Sequence, residues 1–163
     1  MDHPGSYKPP PGRIYLATPK KWWKKLDREF HFTLDVAADD EHHMTLAYFT
    51  YEQDALGKDW PGTVWCSPPW HRSVLPYWVS KAQVEARRHS GTVVCILPVQ
   101  PYAKWWKEIV LRHAWEIRYI DGDLAWEPFD GFPFIGIGVE PACLVVFRGP
   151  EPHTLIERGY PSR

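Results

Sequence analysis

Four consecutive residues, Ser67-Pro68-Pro69-Trp70, carry the clearest chemical signal in the sequence. They follow the apolar run Thr63–Cys66, which predicts a strand that the two prolines must end. Because each proline fixes φ and lacks an N–H, the carbonyl oxygens of Ser67 and Pro68 stay available as acceptors. With the Ser67 hydroxyl, they could accept both hydrogens of an amino group and direct its lone pair at an electrophile. Trp70 could then stack a flat base, an interaction worth about 1–3 kcal/mol; the alternative is a structural turn with Trp70 in the core.

A second candidate site follows the predicted strand Phe32–Ala37. The small residues Ala37 and Ala38 would form a turn that a ligand can approach closely. Acceptors for ribose hydroxyls are available in or after this strand: Asp35, Asp39, Asp40 and Asp54. No G-x-G-x-x-G follows a strand and no G-x-x-x-x-G-K-[ST] occurs, so no backbone cradle for a pyrophosphate is predicted. A nucleoside ligand without phosphates, such as S-adenosylmethionine, is compatible with this pattern; the alternative is a solvated acidic loop.

Other residues suggest contacts to nucleic acid. His71 and Arg72 directly follow the tetrapeptide and could meet a phosphate. Lys24 belongs to a basic set that could contact a DNA backbone, and Trp105 could line a base pocket. The rest of that basic set is Lys20, Lys21 and Lys25. Two further basic sets could contact a DNA backbone in the same way, Lys81 with Arg87 and Arg88, and Lys104 with Lys107 and Arg112. The alternatives are solvated surface for the polar residues and core packing for Trp105.

Composition excludes several classes of protein. The chain has 163 residues with 19 Lys+Arg and 20 Asp+Glu, so it is one domain and not a strongly basic coat protein. It contains no secretory signal and no apolar run long enough to span a membrane. Cys66, Cys95 and Cys143 fall in strand patterns and are interpreted as core thiols. A reaction at the tetrapeptide would therefore proceed without a covalent cysteine intermediate. The adjacent pair His42-His43 lacks a metal-ligand spacing, so no metal is predicted.

The pattern of elements predicts an α/β fold with a mostly parallel sheet. Residues 1–13 are expected to be a flexible arm, 14–148 the folded domain and 149–163 a polar tail. The first helix is expected to begin with Thr18 as N-cap and Pro19 at its first position, with Trp22, Leu26 and Phe30 facing the core. Further helices are expected near 41–48, 74–89 and 102–112, and further strands at 63–66, 92–97, 115–120, 124–126 and 142–147. Residues 127–141 are expected to be a loop.

An ordered set of short motifs resembles the DNA N-6-adenine methyltransferase family common in bacteriophages. Ser67-Pro68-Pro69-Trp70 looks like the [DNS]-P-P-[YFW] motif of amino-group methyltransferases that act on nucleic-acid bases. The resemblance extends over roughly residues 16–148. Its other members are Thr18-Pro19, Glu29-Phe30-x-Phe32-x-Leu34-Asp35-Val36-Ala37-Ala38, Tyr48-Phe49-Thr50, Asp54-Ala55-Leu56, Trp60, Val64-Trp65-Cys66, Val93–Pro98 and Trp105-Trp106.

The resemblance implies a single-domain, reduced Rossmann-like fold that uses S-adenosylmethionine to methylate a base amino group in DNA. Ser67, Pro68, Pro69 and Trp70 would form the catalytic loop. The cofactor would be bound by residues of three segments: Thr18, Pro19, Asp35, Ala37, Ala38 and Asp54. The resemblance also implies a cytoplasmic enzyme, in the host cytoplasm if the chain is phage-encoded, with evasion of restriction as its biological role.

Two departures from the family pattern keep alternatives open. The family usually has Asn or Asp where this chain has Ser67, and Ser is typical of cytosine-N4 enzymes. Only 32 positions separate Asp35 from Ser67, which leaves room for about one short unit where a full methyltransferase half has two more strand–helix units. Adenine N6 is favoured as the target because the pattern over the whole chain outweighs the single departure at Ser67. No target-recognition domain is expected, so sequence specificity should be low. The alternatives are a cytosine-N4 enzyme, an enzyme that methylates RNA or a protein amide, and a non-catalytic nucleic-acid-binding module.

Overall fold

The computed structural model describes residues 16–121, 127–128, 141–150 and 154–161. The expected arm at 1–13, the expected strand at 124–126 and most of the expected loop at 127–141 lie outside the described residues. None of the described helices combines the length and the hydropathy that a membrane-spanning segment needs.

One six-stranded sheet organises the described chain. Its strands are β2 (Leu34–Asp35), β3 (Thr63–Cys66), β4 (Thr92–Pro98), β5 (Glu116–Asp121), β7 (Ala142–Arg148) and β8 (Ile156–Pro161). They lie in the order β2-β3-β4-β7-β5-β8, and β7 alone runs antiparallel to the other five. Two short strands, β1 (Leu16–Ala17) and β6 (Glu127–Pro128), pair with each other. The predicted α/β fold with a mostly parallel sheet is confirmed.

Helices cover both faces of this sheet. Helix α1 (Lys20–Phe30) packs its apolar residues, including Trp22, Leu26 and Phe30, against the face that presents Trp65. Helix α2 (Leu75–Arg88) covers the opposite face, together with a π-helical turn (Trp106–Val110) that continues into α3 (Leu111–His113). The strands buried between these layers are continuously apolar, as expected for strands covered on both faces.

The end of α2 shows why a glycine stands at position 91. Ser90 takes the left-handed conformation with φ 49°, and the Gly91 N–H donates to the Ala86 carbonyl oxygen at 3.0 Å. A Cβ on Gly91 would lie 2.5 Å from the Gly62 carbonyl oxygen, so only glycine fits between the helix end and the turn before β3.

The prediction of a helix at 41–48 is wrong. This segment consists of bends, followed by two 3₁₀ turns at Tyr51–Gln53 and Ala55–Gly57. Asp39 Oδ1 accepts the N–H groups of Glu41 and His42 at 2.8 and 2.7 Å, and Asp35 Oδ2 accepts that of Met44 at 3.0 Å. Side-chain acceptors therefore take the N–H groups that a helix would need.

Two further expectations need correction. Helix α1 begins at Lys20 with Pro19 in the N-cap position, and no side chain caps it, so Thr18 is not the N-cap. The expected polar tail contains β8, which pairs in parallel with β5 from Glu116↔Ile156 to Asp121↔Pro161. This edge strand is held by backbone pairing and carries mostly exposed side chains, so it has no apolar pattern to reveal it.

Candidate active site

The two segments singled out from the sequence leave the sheet at the same edge. Strands β2, β3 and β4 are parallel neighbours, with Asp35 paired with Trp65 and Cys66 paired with Cys95. The turn at 36–38 and the loop at 67–70 therefore start side by side at the carboxyl ends of adjacent strands. This edge is where open α/β sheets bind their ligands.

The diproline loop is anchored at its far end by Trp70. The Trp70 indole N–H donates to the Ile96 carbonyl oxygen of β4 at 3.2 Å, and the half-buried ring packs against the apolar clusters on both faces of the sheet. Pro68 is buried, whereas Ser67 and Pro69 are partly exposed. Trp70 thus fixes the loop to the sheet, and only the exposed part of its ring is left for a base.

Asp35 is a buried carboxylate that shapes the turn beside this loop. Asp35 is 3% exposed, and its carboxylate accepts hydrogen bonds from the N–H groups of Ala37 at 3.2 Å and Met44 at 3.0 Å. Burial raises the pKa of Asp35 to about 6, although these two hydrogen bonds act in the opposite direction. The carboxylate therefore fixes the backbone of the small-residue turn through these two hydrogen bonds.

The acidic segment after the turn forms a narrow extension of the sheet. Tyr48 makes an isolated parallel bridge with Asp35, and the Ala38 N–H donates to the Phe49 carbonyl oxygen at 3.1 Å. The Tyr48 hydroxyl donates to Asp40 at 3.0 Å, and its ring stacks on His43 with centroids 4.1 Å apart. The pKa of Tyr48 is raised chiefly by this hydrogen bond to Asp40.

Beyond Tyr48, an open groove of about 660 Å³ follows the outer side of β2, lined by residues that include Leu34, Asp40, Tyr48 and Gln53. Asp54 lies half-buried at a left-handed position between the two 3₁₀ turns. Among the predicted acceptors of this region, Asp40 lines the groove directly.

The adjacent histidines of this segment point to different partners. His42 Nδ1 lies 3.1 Å from Asp39 Oδ1, whereas His43 Nδ1 lies 2.8 Å from the Thr45 carbonyl oxygen.

A separate cluster, Asp59, Glu85 and His89, brings three atoms that could bind a metal ion within 4.8 Å of one another. The buried carboxylate of Glu85 is already paired with Lys81 at 2.9 Å, and the carboxylate of Asp59 is paired with Arg88 at 2.8 Å.

Thr18 and Pro19 are buried where β1 leads into α1. The Thr18 hydroxyl is fully enclosed and has no hydrogen-bond partner among the described residues. An enclosed hydroxyl is out of reach of a bound ligand in this conformation, so the cofactor contact that the resemblance implies for Thr18 stays a prediction.

The residues expected to contact nucleic acid have different environments. Lys24 and Arg72 are exposed, and His71 is half-buried with Nδ1 2.6 Å from the Ser73 hydroxyl. Trp105 is 8% exposed and packs edge-on against Trp106 in the core beneath α2, so the structure does not present it to a nucleic acid.

Comparison with known families identifies the group to which the chain belongs. The family model described as DNA N-6-adenine-methyltransferase (Dam) matches residues 6–154, which include the turn after β2 and the diproline loop. The chain belongs to this family. No curated protein matches it significantly.

Among solved structures, this Dam-family chain matches the crystal structure of a predicted O-methyltransferase from Agrobacterium tumefaciens. The two share 17% sequence identity with a TM-score of 0.40, and the match covers 75% of this chain and 50% of that chain. The chain therefore spans half the length of that structure.

In this Dam-family chain a short connection joins β2 to the diproline loop. Between Asp35 and Ser67 the structure has the Tyr48 bridge and two 3₁₀ turns, which agrees with the expectation of one short unit there. The three cysteines are free, buried and lie on β3, β4 and β7, as expected for core thiols. Burial raises the pKa values of Cys66 and Cys143, so neither is a nucleophile at neutral pH.

One exposed aromatic residue at this edge was not singled out from the sequence. Tyr102 is 90% exposed in the turn that follows β4, the strand next to the diproline loop. The signal that could have found it is the Pro101-Tyr102 pair directly after the apolar run of β4.

Proposed function

We propose that this chain transfers a methyl group from S-adenosylmethionine to the exocyclic amino group of a DNA base, with adenine N6 favoured and low sequence specificity. The observation that carries the proposal is the placement of the diproline loop beside the small-residue turn at the carboxyl ends of β2 and β3. Membership of the Dam family supports the same reaction.

The cofactor supplies an electrophilic methyl group on a sulfonium whose sulfur leaves as a neutral thioether. Candidate residues to hold it are Thr18, Pro19, Ala37, Ala38 and Asp54. The small side chains of Ala37 and Ala38 support this assignment at the turn. Asp35 then acts through the turn, because both of its carboxylate oxygens are engaged by backbone N–H groups.

The loop provides the chemistry on the base. The Ser67 hydroxyl and the carbonyl oxygens of Ser67 and Pro68 accept the two amino hydrogens, which draws the nitrogen lone pair out of ring conjugation. With S-adenosylmethionine bound, that lone pair would form the new N–C bond as the C–S bond of the sulfonium breaks, and the amino nitrogen would then lose one proton to water. Trp70 supports the base with the exposed part of its ring, and its indole N–H keeps the loop at a fixed distance from β4.

Methyl incorporation into different acceptors tests this proposal. Purified protein is incubated with isotopically labelled cofactor and, in separate reactions, with unmethylated DNA, RNA or a protein mixture. We expect label in DNA at a level well above that in RNA or protein. No incorporation into any acceptor would contradict the enzymatic proposal and favour a non-catalytic binding module.

A cytosine-N4 enzyme is the second candidate, because Ser67 occupies the position where the motif of cytosine enzymes has serine. A serine hydroxyl is a neutral acceptor and weaker than a carboxylate. Hydrolysis of the labelled DNA separates the two candidates, since the label is found in either the adenine or the cytosine nucleoside. A cytoplasmic location and a role in restriction evasion complete the proposal.

A further inference from the structure

Helix α1 presents a basic face that its own stability does not explain. Five of its 11 residues are basic and exposed, and they are Lys20, Lys21, Lys24, Lys25 and Arg28. At 100° per residue these five fill one continuous side of the helix, opposite the buried stripe of Trp22, Leu26 and Phe30. We call this surface the α1 basic face.

The two acidic residues of the helix do not neutralise this face. Asp27 Oδ1 accepts the Phe32 N–H at 3.0 Å at the C-terminal end of the helix. Glu29 is paired with Arg118 of β5, whose Nη1 donates to Oε2 at 2.7 Å. Among the described residues, no carboxylate forms an ion pair with Lys21, Lys24 or Lys25.

The placement of these lysines also opposes the helix itself. The first turn has no acidic residue, so the lysines stand at the end of the helix dipole that repels cations. Lys21 and Lys25 are a like-charge pair at i,i+4, which is unfavourable. Elsewhere in the described chain, Lys81–Glu85 and Lys104–Glu108 follow the favourable i,i+4 pattern. The α1 basic face thus gathers like charges where local electrostatics disfavours them, which is typical of a functional surface.

The N-terminal part of this face lies at the ligand-binding edge of the sheet. Trp22, which is flanked by the lysines, donates its indole N–H to the Pro161 carbonyl oxygen at 3.4 Å. Pro161 pairs with Asp121 at the carboxyl ends of β8 and β5. Pro161 belongs to β8, which is four positions from β3, or about 19 Å at the usual strand spacing. That separation equals the rise of five or six phosphates along one DNA strand at about 3.4 Å each.

We propose that the α1 basic face binds the phosphate backbone of the DNA strand beside the target base. This inference rests on the proposed function for the identity of the polyanion. Because the formal net charge of the chain is -1, DNA attraction must come from a local surface and not from the whole molecule. From Lys20 to Lys25 the helix rises about 7.5 Å, and one DNA strand presents a phosphate about every 3.4 Å along the duplex axis, so two or three phosphates are within reach.

The salt dependence of DNA binding tests this assignment. Binding of a fluorescent 20-base-pair duplex is measured at several salt concentrations for the wild type and for the triple variant Lys21→Gln/Lys24→Gln/Lys25→Gln. Each lost phosphate contact lowers the slope of log K against log salt by about 0.9, so we expect a reduction of about 2 to 3. The single variant Lys24→Gln should lower the slope by about 1.

The matched control removes the same charge from the opposite face of the sheet, by Lys104→Gln/Lys107→Gln/Arg112→Gln. These three residues are exposed, and we expect a slope change below 1. Equal slope changes in the two triple variants, an unchanged slope in the α1 variants, or no DNA binding by the wild type would overturn the inference. Methyl incorporation by the wild type is measured separately, so a failure of the proposed function is distinguishable from a failure of this surface. A thermal melt should show the α1 variant unfolding at or above the wild-type temperature.

Discussion

At the residue scale, the candidate site depends on two side chains with different roles. Ser67 is partly exposed after the end of β3 and is proposed to contribute acceptors toward the base, whereas Asp35 is buried and holds the neighbouring turn through two N–H groups. These roles predict different consequences of substitution, because one residue meets the substrate and the other positions backbone.

Ser67→Ala tests the contribution of the hydroxyl to amino-group binding. We expect kcat for methyl transfer to fall by about 10-fold or more, because one of three acceptors that orient the amino group is lost. Ser80→Ala, on the exposed side of α2, removes the same hydroxyl from a site without a proposed role and should keep wild-type activity. Full activity of Ser67→Ala would contradict the proposed chemistry of the loop.

Asp35 predicts a pH dependence of folding stability. Its folded-state pKa is raised to about 6 from an ordinary value of 3.8, so the folded protein holds a proton that the unfolded chain has lost between these values. Stability from this group is therefore full below about pH 4 and is lost as pH rises toward 6. Urea unfolding from pH 4 to pH 7 should show this decline in the wild type and not in Asp35→Asn. Parallel profiles of the two proteins would contradict the raised pKa.

At the element scale, α1 is tied to the sheet by an ion-pair cluster as well as by apolar packing. Arg118 on β5 is 1% exposed, pairs with Glu29 of α1 and with Glu116 of its own strand, and lies over the Phe30 ring at 5.0 Å. The hydrogen bond from Arg118 lowers the pKa of Glu29. The cluster sets how α1, and hence Thr18 before it, sits on the sheet.

Arg118→Met should destabilise the protein by about 1–3 kcal/mol, because Glu29 loses its partner and the buried Glu116 keeps only the half-exposed Arg158. Methionine keeps most of the side-chain volume of Arg118, so the loss of unfolding free energy measures the loss of charge pairing. Lys104→Ala breaks the exposed pair with Glu108 and should cost at most about 1 kcal/mol. Chemical denaturation measures both, and a loss for Arg118→Met no larger than that for Lys104→Ala would show that the cluster does not hold α1.

Elements with a strong periodic pattern could be predicted from the sequence, and elements held by distant partners could not. Strand Thr63–Cys66 and the buried stripe of α1 follow from apolar runs and spacing. Strand β8 depends on pairing with β5 and on a Tyr119–Glu157 hydrogen bond of 2.7 Å, neither of which has a local signature. The helix predicted at 41–48 does not form because the carboxylates of Asp35 and Asp39 accept N–H groups that it would need.

The same distinction applies to the site. The diproline loop and the turn after β2 were predictable because strand ends, prolines and small residues are local signals. The anchoring of Trp70 to Ile96 and the burial of Trp105 were not, because both depend on which strand lies beside which.

At the scale of the whole molecule, the fold brings the small-residue turn, the diproline loop and the N-terminal part of the α1 basic face to one edge of the sheet. On the proposed function, a base must leave its duplex to reach the loop, which costs a few kcal/mol and costs least when the base is mismatched. A chain of 163 residues offers little surface to offset that cost, so unpaired targets should be preferred.

We therefore expect a mismatched adenine in a duplex to be methylated with a kcat/KM about 10-fold higher than a paired adenine in the same sequence. Duplexes of equal length and charge, differing only in the base opposite the target, keep the phosphate contacts constant. Equal rates on the two duplexes would mean that base extrusion does not limit the reaction.

The most direct test of the central claim is the identity of the nucleoside that gains a methyl group. Unmethylated DNA is incubated with the protein and S-adenosylmethionine carrying a trideuterated methyl group, then digested and analysed by mass spectrometry. The account predicts N6-methyldeoxyadenosine that carries three deuterium atoms. Digests in which no deuterated methyl group is attached to any base nitrogen would contradict it.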